Sequence, residues 1–286
     1  MPFRSRGPVR YWRPGLREAV RHRFMRNPGD ELGPTIVSAV LAQKHSALEA
    51  WSRSGRRLLT VGSVVQLARP GDVVWGAGLR SAELANVLSH DIDVRAVRGP
   101  LTADAIKARL GIDCRVFGDP GLLVPELLGL PRRDRARLQT LPRDPQVLFL
   151  SHFADPRVPP RRMRHLRMIG KPGRILAAIQ ASDVVLSSAL HGIVLAEALG
   201  VPTVWVAGLD REPPFKFLDY FHGTQRNNPR SITSFMGWES AINVEPRFSA
   251  SDLLEAFPLD CFSQRPFTNP WQRLKAGAQD SLGITP

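Results

Sequence analysis

His191 is the residue of this sequence best suited to transfer a proton, because an imidazole titrates near neutral pH. It follows an apolar run at residues 184–186, typical of a buried strand, and then Ser187 and Ser188, residue types that cap helices. A helix beginning here would offer N–H groups near Gly192 to an anion. A lone histidine at a helix start is more often structural, so the functional interpretation depends on the surrounding Ser-Ser-x-x-His-Gly.

Two charged residues also follow predicted strands. Arg98 comes directly after a strand at residues 93–97, and its guanidinium could bind a phosphate or carboxylate through two hydrogen bonds. Asp119 follows a strand at residues 116–117. The structural alternatives are a surface ion pair for Arg98 and a turn residue before proline for Asp119.

Two further predicted strands deliver polar residues or glycines. His152 and Asp155 follow a strand at residues 146–150. Gly76 and Gly78 follow a strand at residues 72–75, where missing side chains allow a ligand to approach the backbone, although an ordinary turn is about as common there. A second anion site is predicted at Asn27 and Asp30, which form a turn before a helix at residues 32–41.

Strands and helices alternate along the chain. Residues 184–206 form a complete βαβ unit, in which Gly200 ends the helix and Pro202 prevents its continuation. Such units imply parallel sheets covered by helices. We therefore expect an α/β fold with two Rossmann-like domains facing a cleft.

The stretch at residues 130–145 is rich in proline and charge, and it predicts a boundary between domains at 1–140 and 141–286. After Leu209 the sequence predicts mainly loops, with one helix at residues 250–257. The tail after Gln264 is expected to pack back on the first domain.

Seven segments together resemble the polysaccharide pyruvyltransferase family, in that family's order. They are residues 27–32, 74–78, 95–102, 118–120, 150–155, 187–192 (Ser-Ser-Ala-Leu-His-Gly) and 215–220. The sequence departs from the family pattern at Pro28, which replaces an aromatic residue, at Ser151, which replaces proline, and at Ala189, where many members carry arginine.

The resemblance implies a fold similar to that of GT-B glycosyltransferases and transfer of a pyruvyl group from phosphoenolpyruvate to two hydroxyls of one sugar, giving a cyclic ketal. It implies no metal and no cofactor beyond this donor substrate. His191 is then the general acid, and Arg98 binds the donor, helped by the segment from Ser187 to Gly192. His152 and Asp155 orient a substrate, and Lys216 supplies a cation. Asp30 and Asp119 contact acceptor hydroxyls or act as base.

Two other functions fit parts of the sequence. Residues 197–202 resemble the ribose-binding helix of GT-B glycosyltransferases, which use a nucleotide sugar. A non-catalytic basic protein that binds a membrane or nucleic acid would explain the charge alone. The first half of the chain favours the pyruvyltransferase, and neither arginine cluster carries a nucleic-acid motif.

The net charge of +13 comes from 39 Lys and Arg against 26 Asp and Glu. Two cysteines lie far apart and no apolar run reaches the ~20 residues that span a bilayer, so we expect a cytoplasmic protein. Its basic clusters permit peripheral contact with the anionic inner face of the membrane and a lipid-linked glycan acceptor. The clustered arginines are Arg4, Arg6, Arg10, Arg13, Arg17, Arg21, Arg23 and Arg26, and then Arg157, Arg161, Arg162, Arg164 and Arg167.

Overall fold

The first sheet lies in the N-terminal half of the chain. The structure, a computed structural model, describes residues 3–6, 9–12, 27–44, 56–134, 141–209 and 212–262. Strands β1 to β5 follow one another across this sheet in chain order, and they are Phe3–Arg6, Val9–Trp12, Leu58–Leu59, Val73–Trp75 and Asp93–Ala96. All neighbouring pairs are parallel except β1 and β2, which are antiparallel. The expectation of a parallel sheet is therefore wrong at this edge.

The second sheet is parallel throughout. Its strands β6 to β10 are Val147–Ser151, Arg164–Arg167, Val184–Ser187, Thr203–Val206 and Ser231–Ile232, in the spatial order β10-β9-β8-β6-β7. The predicted βαβ unit is confirmed as β8, a helix and β9. The two parallel regions confirm the α/β class, while the arrangement of two domains about a cleft stays a prediction.

Helices connect the strands and cover the sheets. Helices α1 to α7 are Pro28–Gln43, Pro100–Leu110, Val124–Leu128, Pro172–Gln180, Leu190–Ala198, Phe215–Gly223 and Ala250–Glu255. Short 3-10 helices occur at Val65–Leu67, Ala82–Val87, Pro120–Leu123, Trp238–Ala241 and Leu259–Cys261. No helix in the described part of the chain is long and apolar enough to cross a membrane.

Helix α6 and strand β10 correct the prediction that loops follow Leu209. Phenylalanine and tyrosine are middling helix formers, so the sequence of α6 gives little local signal. Its stability comes from packing, because the Phe217 ring stacks on Trp205 at 4.9 Å and Phe221 is fully buried beside them. Tertiary contacts thus create a helix that local pattern did not predict.

The boundary expected near residue 140 is not a gap in the hydrophobic core. One apolar cluster contains Ile36 of α1 together with Trp75 of β4 and Leu150 of β6. The region of α7 also returns to the first sheet, where the indole N–H of Trp75 donates to the carbonyl of Leu253 at 2.7 Å. The proposed domain limits stay a prediction, and the tail after Gln264 lies outside the described residues.

Candidate active site

A cavity of about 410 Å³ lies where the carboxyl ends of strands from both sheets meet. Its lining comes from the segments after β3, β4, β6, β7 and β8, from the start of α1, and from the start of α6. In open α/β sheets ligands bind beyond the carboxyl ends of strands, so this is the expected place for a site. The polar lining residues are Asn27, Asp30, Ser63, Gln66, Arg80, His152, His191, Glu212 and Lys216.

Two helix starts bring Asp30 and His191 together. Asn27 is the N-cap of α1, and its side chain accepts a hydrogen bond from the N–H of Gly29 at 3.0 Å. The predicted turn at residues 27–30 is therefore already helical from Pro28 onward. Asp30 lies in this first turn, and His191 is the second residue of α5. Nδ1 of His191 lies 3.7 Å from Oδ1 of Asp30.

Two glycines make this approach possible. A Cβ atom on Gly29 would lie 2.2 Å from Cγ of His191, and one on Gly62 would lie 2.6 Å from Oδ1 of Asp30. Gly62 also has a φ of +92°, which other residues rarely adopt. The backbone thus approaches the reactive side chains closely, and a larger residue at either position would displace them.

The Asp30–His191 pair holds one proton near neutral pH. Burial, together with the smaller effects of the charges on Lys216 and Arg98, lowers the pKa of His191 to about 3. Burial raises the pKa of Asp30 to about 8, against the opposing effect of Lys216. The carboxyl is therefore protonated and the imidazole neutral. Nε2 of His191 is buried and has no hydrogen-bond partner among the described residues.

Lys216, Arg80 and His152 converge on the carboxylate of Glu212 beside this pair. Nζ of Lys216 contacts Oε2 of Glu212, while Nη2 of Arg80 and Nε2 of His152 lie 3.5 and 3.4 Å from Oε1. Burial lowers the pKa of Lys216 to about 7 and that of His152 to about 3. The sequence indicated Lys216 and His152, whereas Arg80 and Glu212 were missed because they lie in no strand-end motif.

Arg98 does not line the cavity, and its expected direct contact with the donor stays a prediction. Its side chain is 0% exposed, and its guanidinium donates to Asp219 Oδ2 at 3.0 Å, Ser63 Oγ at 2.9 Å and the Leu79 carbonyl at 2.7 Å. Those hydrogen bonds use the groups that would hold a phosphate. Arg98 instead fixes Ser63, which does line the cavity. Gly78 provides room for it, since a Cβ atom there would lie 2.3 Å from Cζ of Arg98.

Gly76 and Asp119 also lie outside the cavity lining. Gly76 has a φ of +79° and packs against Pro120, whose Cδ would be 2.3 Å from an added Cβ. Asp119 is fully buried and accepts a hydrogen bond from the N–H of Gly121 at 2.9 Å. Burial raises the pKa of Asp119 to about 6. The close approaches predicted for a ligand at this edge are made by protein atoms instead.

The remaining predicted residues support the loops that border the cavity. Asp155 accepts two hydrogen bonds from the guanidinium of Arg157, at 2.9 and 2.7 Å. Ser188 Oγ accepts from the N–H of His152 at 2.9 Å and so fixes that residue. Neither lines the cavity, and Ser188 does not cap α5.

Ser187 and Gly192 form the turn that leads into α5. The N-cap position belongs to Ala189, and Ser187 Oγ accepts from the Ala189 N–H at 3.1 Å and donates to the Leu150 carbonyl at 2.7 Å. The Gly192 N–H donates to the Ala189 carbonyl at 3.0 Å, so it is not free for an anion as expected. A Cβ atom on Gly192 would lie 2.2 Å from Ser187 Oγ, which explains the glycine.

Glu197, the residue that suggested a nucleotide-sugar site, is fully buried. Its carboxylate accepts hydrogen bonds from Thr203 and Tyr220, each at 2.6 Å, and it binds the Arg226 guanidinium at 2.7 and 2.9 Å. These contacts occupy both oxygens in a fully buried setting. No cluster of three His, Cys, Asp or Glu suited to a metal occurs in the described ranges.

Comparison with known proteins identifies the family. Residues 47–210 match the model of the family described as polysaccharide pyruvyl transferase, which is more than half of the 286 residues. The chain is also 24% identical over 216 residues to an uncharacterized protein of Acanthamoeba polyphaga mimivirus, covering 68% of this chain and 69% of that protein. The matched family region contains Arg80, His152 and His191, whereas Asp30 and Lys216 lie outside it. The chain therefore belongs to the polysaccharide pyruvyl transferase family and is a transferase.

Proposed function

We propose that this enzyme transfers a pyruvyl group from phosphoenolpyruvate to two hydroxyls of one sugar in a polysaccharide precursor, forming a cyclic ketal. The observation that carries the proposal is the pairing, in one cavity, of a one-proton acid–base pair with two cations. Asp30 and His191 form the pair, and Arg80 and Lys216 are the cations. A donor with a phosphate and a carboxylate needs both features.

The proposed reaction balances without another reactant. A proton adds to C3 of the donor, which becomes the methyl group, and a sugar hydroxyl oxygen bonds to C2. The bond between C2 and the phosphate oxygen then breaks, and the second hydroxyl oxygen bonds to C2 to close the ring. Of the two hydroxyl protons, one replaces the proton given to C3 and the other leaves with phosphate. General acid–base catalysis and charge stabilisation are therefore the tasks of the protein.

His191 is the proposed donor of the proton to C3. Its pKa of about 3 reflects burial and neighbouring positive charge. A donor that brings several negative charges reverses that balance, since nearby anions favour the imidazolium. Asp30, which its pKa of about 8 keeps protonated at neutral pH, supplies this proton through Nδ1 of His191 and afterwards accepts one from a sugar hydroxyl. In this proposal the pair cycles a single proton.

A donor screen tests the reaction. The enzyme is incubated with phosphoenolpyruvate or with nucleotide sugars, together with lipid-linked and aryl glycosides. The masses of the products are then measured by mass spectrometry. We expect an acceptor that gains a pyruvyl ketal only with phosphoenolpyruvate, and one solvent deuterium in its methyl group when the reaction runs in deuterated water. Glycosyl transfer from a nucleotide sugar, with no reaction of phosphoenolpyruvate, would establish the alternative function instead.

We also propose peripheral contact with an anionic membrane through the basic segment at residues 161–174. Six exposed cations lie on and around β7 and α4, and none forms an ion pair with another described residue. They are Arg161, Arg162, Arg164, Arg167, Lys171 and Arg174. Residues 156–182 contain no acidic residue, and Met168, next to Arg167, lines the cavity. A lipid-linked acceptor could therefore reach the site from this side.

Sedimentation with liposomes tests the membrane proposal. Binding to vesicles with anionic lipid should fall steeply as salt rises from about 50 to 300 mM, because exposed charges are screened over roughly 10 Å at 0.1 M salt. A variant with Arg161, Arg162 and Arg164 changed to glutamine should bind less, while the same number of changes at exposed arginines elsewhere, such as Arg69, Arg109 and Arg115, should matter less. Equal binding to neutral and anionic vesicles would exclude this role.

A further inference from the structure

The carboxylate of Glu212 lies in the arrangement that a bound anion would occupy. Its side chain is only 4% exposed and contacts Nζ of Lys216, with Nη2 of Arg80 at 3.5 Å and Nε2 of His152 at 3.4 Å. Two of these groups are cations and the third is an imidazole nitrogen. All four residues line the main cavity. A protein that binds an external carboxylate or phosphate uses the same set of groups.

An external anion cannot share this position with Glu212. Two negative charges about 3–4 Å apart beside largely buried side chains repel each other strongly, and the cations can satisfy only one of them fully. We propose that Glu212 is an internal placeholder: its carboxylate occupies the subsite for an anionic group of the donor and leaves when the donor binds. The identity of the donor rests on the proposed function, whereas the anion subsite does not.

A second cavity beside Glu212 provides space for a different position of its side chain. The same residue also lines a second, largely apolar cavity of about 360 Å³, together with Trp205, Pro214 and Phe217. The backbone N–H of Glu212 donates to the Leu209 carbonyl at 2.8 Å, which holds the main chain in a turn while the side chain borders both spaces. A change of side-chain rotamer would therefore move the carboxylate out of the main cavity without unfolding α6.

A placeholder also selects among anions. A ligand with a single weak charge gains little by replacing a carboxylate that is already bound, whereas a ligand with a phosphate and a carboxylate gains contacts that Glu212 alone cannot make. The buried Lys216 meanwhile keeps a partner when no donor is present, which limits the cost of burying its charge. The proposal therefore predicts preference for multiply charged donors.

Calorimetric titration with sulfate and with phosphoenolpyruvate tests the proposal. Sulfate keeps two charges across the usable pH range, and pH 6 keeps Lys216 mainly protonated, since its pKa is about 7. Glu212→Gln and Glu212→Ala should each bind sulfate about tenfold or more tightly than the parent, because a competing charge is removed. Glu212→Asp keeps the charge and should bind like the parent. Glu255→Gln, an exposed change outside both cavities, is the matched control.

Equal or weaker sulfate binding by folded Glu212→Gln would overturn the placeholder. So would a fall in kcat with no change in donor affinity, which would mark Glu212 as an acid–base group. If neither uncharged variant folds, a crystal structure of the parent with phosphoenolpyruvate decides: the Glu212 carboxylate should have left Lys216, and an unchanged contact rejects the idea. Tighter sulfate binding without turnover of phosphoenolpyruvate would support the subsite and reject the proposed reaction.

Discussion

Two clusters of buried charge lie close together in this protein and behave in opposite ways. In the first, Arg98 and Asp219 are both 0% exposed, and the carboxylate also accepts hydrogen bonds from the N–H and hydroxyl of Thr102 at 2.8 and 2.7 Å. In the second, Asp30 and His191 are 3.7 Å apart, beyond hydrogen-bond distance. The side chains of the two clusters are similarly buried. The clusters differ in how many hydrogen-bond partners the protein gives to those side chains.

This difference separates a structural cluster from a reactive one. The Arg98 guanidinium has an acceptor for each of its three nitrogens, so its charge is stabilised inside the protein. Among the described residues the Asp30–His191 pair has no such set of partners, and burial drives both groups toward their neutral forms. Groups whose pKa values are displaced by burial in a cavity are candidates for catalysis, whereas saturated pairs hold the fold.

The largest expected effect comes from removing the imidazole of the reactive cluster. His191→Asn should lower kcat by ~10²–10⁴, because an amide of similar size cannot donate a proton as an imidazolium does. Donor affinity should change much less, since Arg80 and Lys216 remain. Turnover is measured with phosphoenolpyruvate and the acceptor found in the screen. His90→Asn, on an exposed histidine, is the matched control.

A folded His191→Asn enzyme that binds the donor and turns over like the parent would make His191 structural. The proton would then come from elsewhere in the cavity, and His152 would be the next residue to change. Its Nε2 lies 3.4 Å from the Glu212 carboxylate, and its ring contacts Phe153 at 4.2 Å between centroids. That outcome would also remove the contrast between the two clusters.

The second prediction concerns the Arg98–Asp219 cluster, in which each nitrogen of the guanidinium has a hydrogen-bond acceptor. Arg98→Met leaves the Asp219 carboxylate buried without its cation and should lower the free energy of unfolding by about 3–5 kcal/mol. Changing both residues, as Arg98→Met with Asp219→Leu, should recover part of that loss. The control is Arg132→Met, because Arg132 pairs with Glu245 at the surface, with side chains 52% and 46% exposed. That change should cost no more than about 1 kcal/mol.

Chemical denaturation followed by circular dichroism measures these values. A cost for Arg98→Met no larger than that for Arg132→Met would mean that the buried pair contributes little to folding. Weakened donor binding with unchanged stability would restore the direct donor contact inferred from the sequence. The comparison therefore decides between a positioning role and a binding role for Arg98.

Much of the fold was predictable from local pattern, because strands and helix ends carry local signals. Helix α2 begins at Pro100 and ends before Gly111, which has a φ of +73°, and these two residue types are local signals for a helix start and a helix end. The βαβ unit around His191 was equally readable. Helix α6 was not, since its aromatic residues stabilise it only by packing on Trp205. Local rules cannot supply a contact that the tertiary fold creates.

The site was predictable only in part, because local patterns do not report contacts between distant residues. The end of a strand indicated His191, a turn before a helix indicated Asp30, and family resemblance indicated Lys216. All three line the cavity. Position alone indicated Arg98 just as strongly, yet its role depends on Asp219, 121 residues later in the chain. Arg80 had no local signal at all. Whether a charged residue is saturated or reactive is decided by distant partners, which sequence spacing does not report.

The smallest predicted effect is the pH dependence of sulfate binding, which tests the cavity around Asp30 and His191 without any mutation. The affinity for sulfate should fall about tenfold or more as pH rises from 6 to 9. Lys216 loses its positive charge above its pKa of about 7, and Asp30 gains a negative charge above its pKa of about 8. Both changes disfavour an anion, so their effects add.

Lys216→Arg separates the two steps, because a guanidinium stays charged throughout this range. The variant should lose the step near pH 7 and keep the fall near pH 8 that belongs to Asp30. Asp30→Asn should do the reverse. Sulfate affinity is measured by calorimetry across the pH series, so that the titration of the ligand itself does not enter. A parent enzyme with constant affinity from pH 6 to 9 would mean that the cavity charges are as saturated as those around Arg98, and the contrast between the two clusters would not hold.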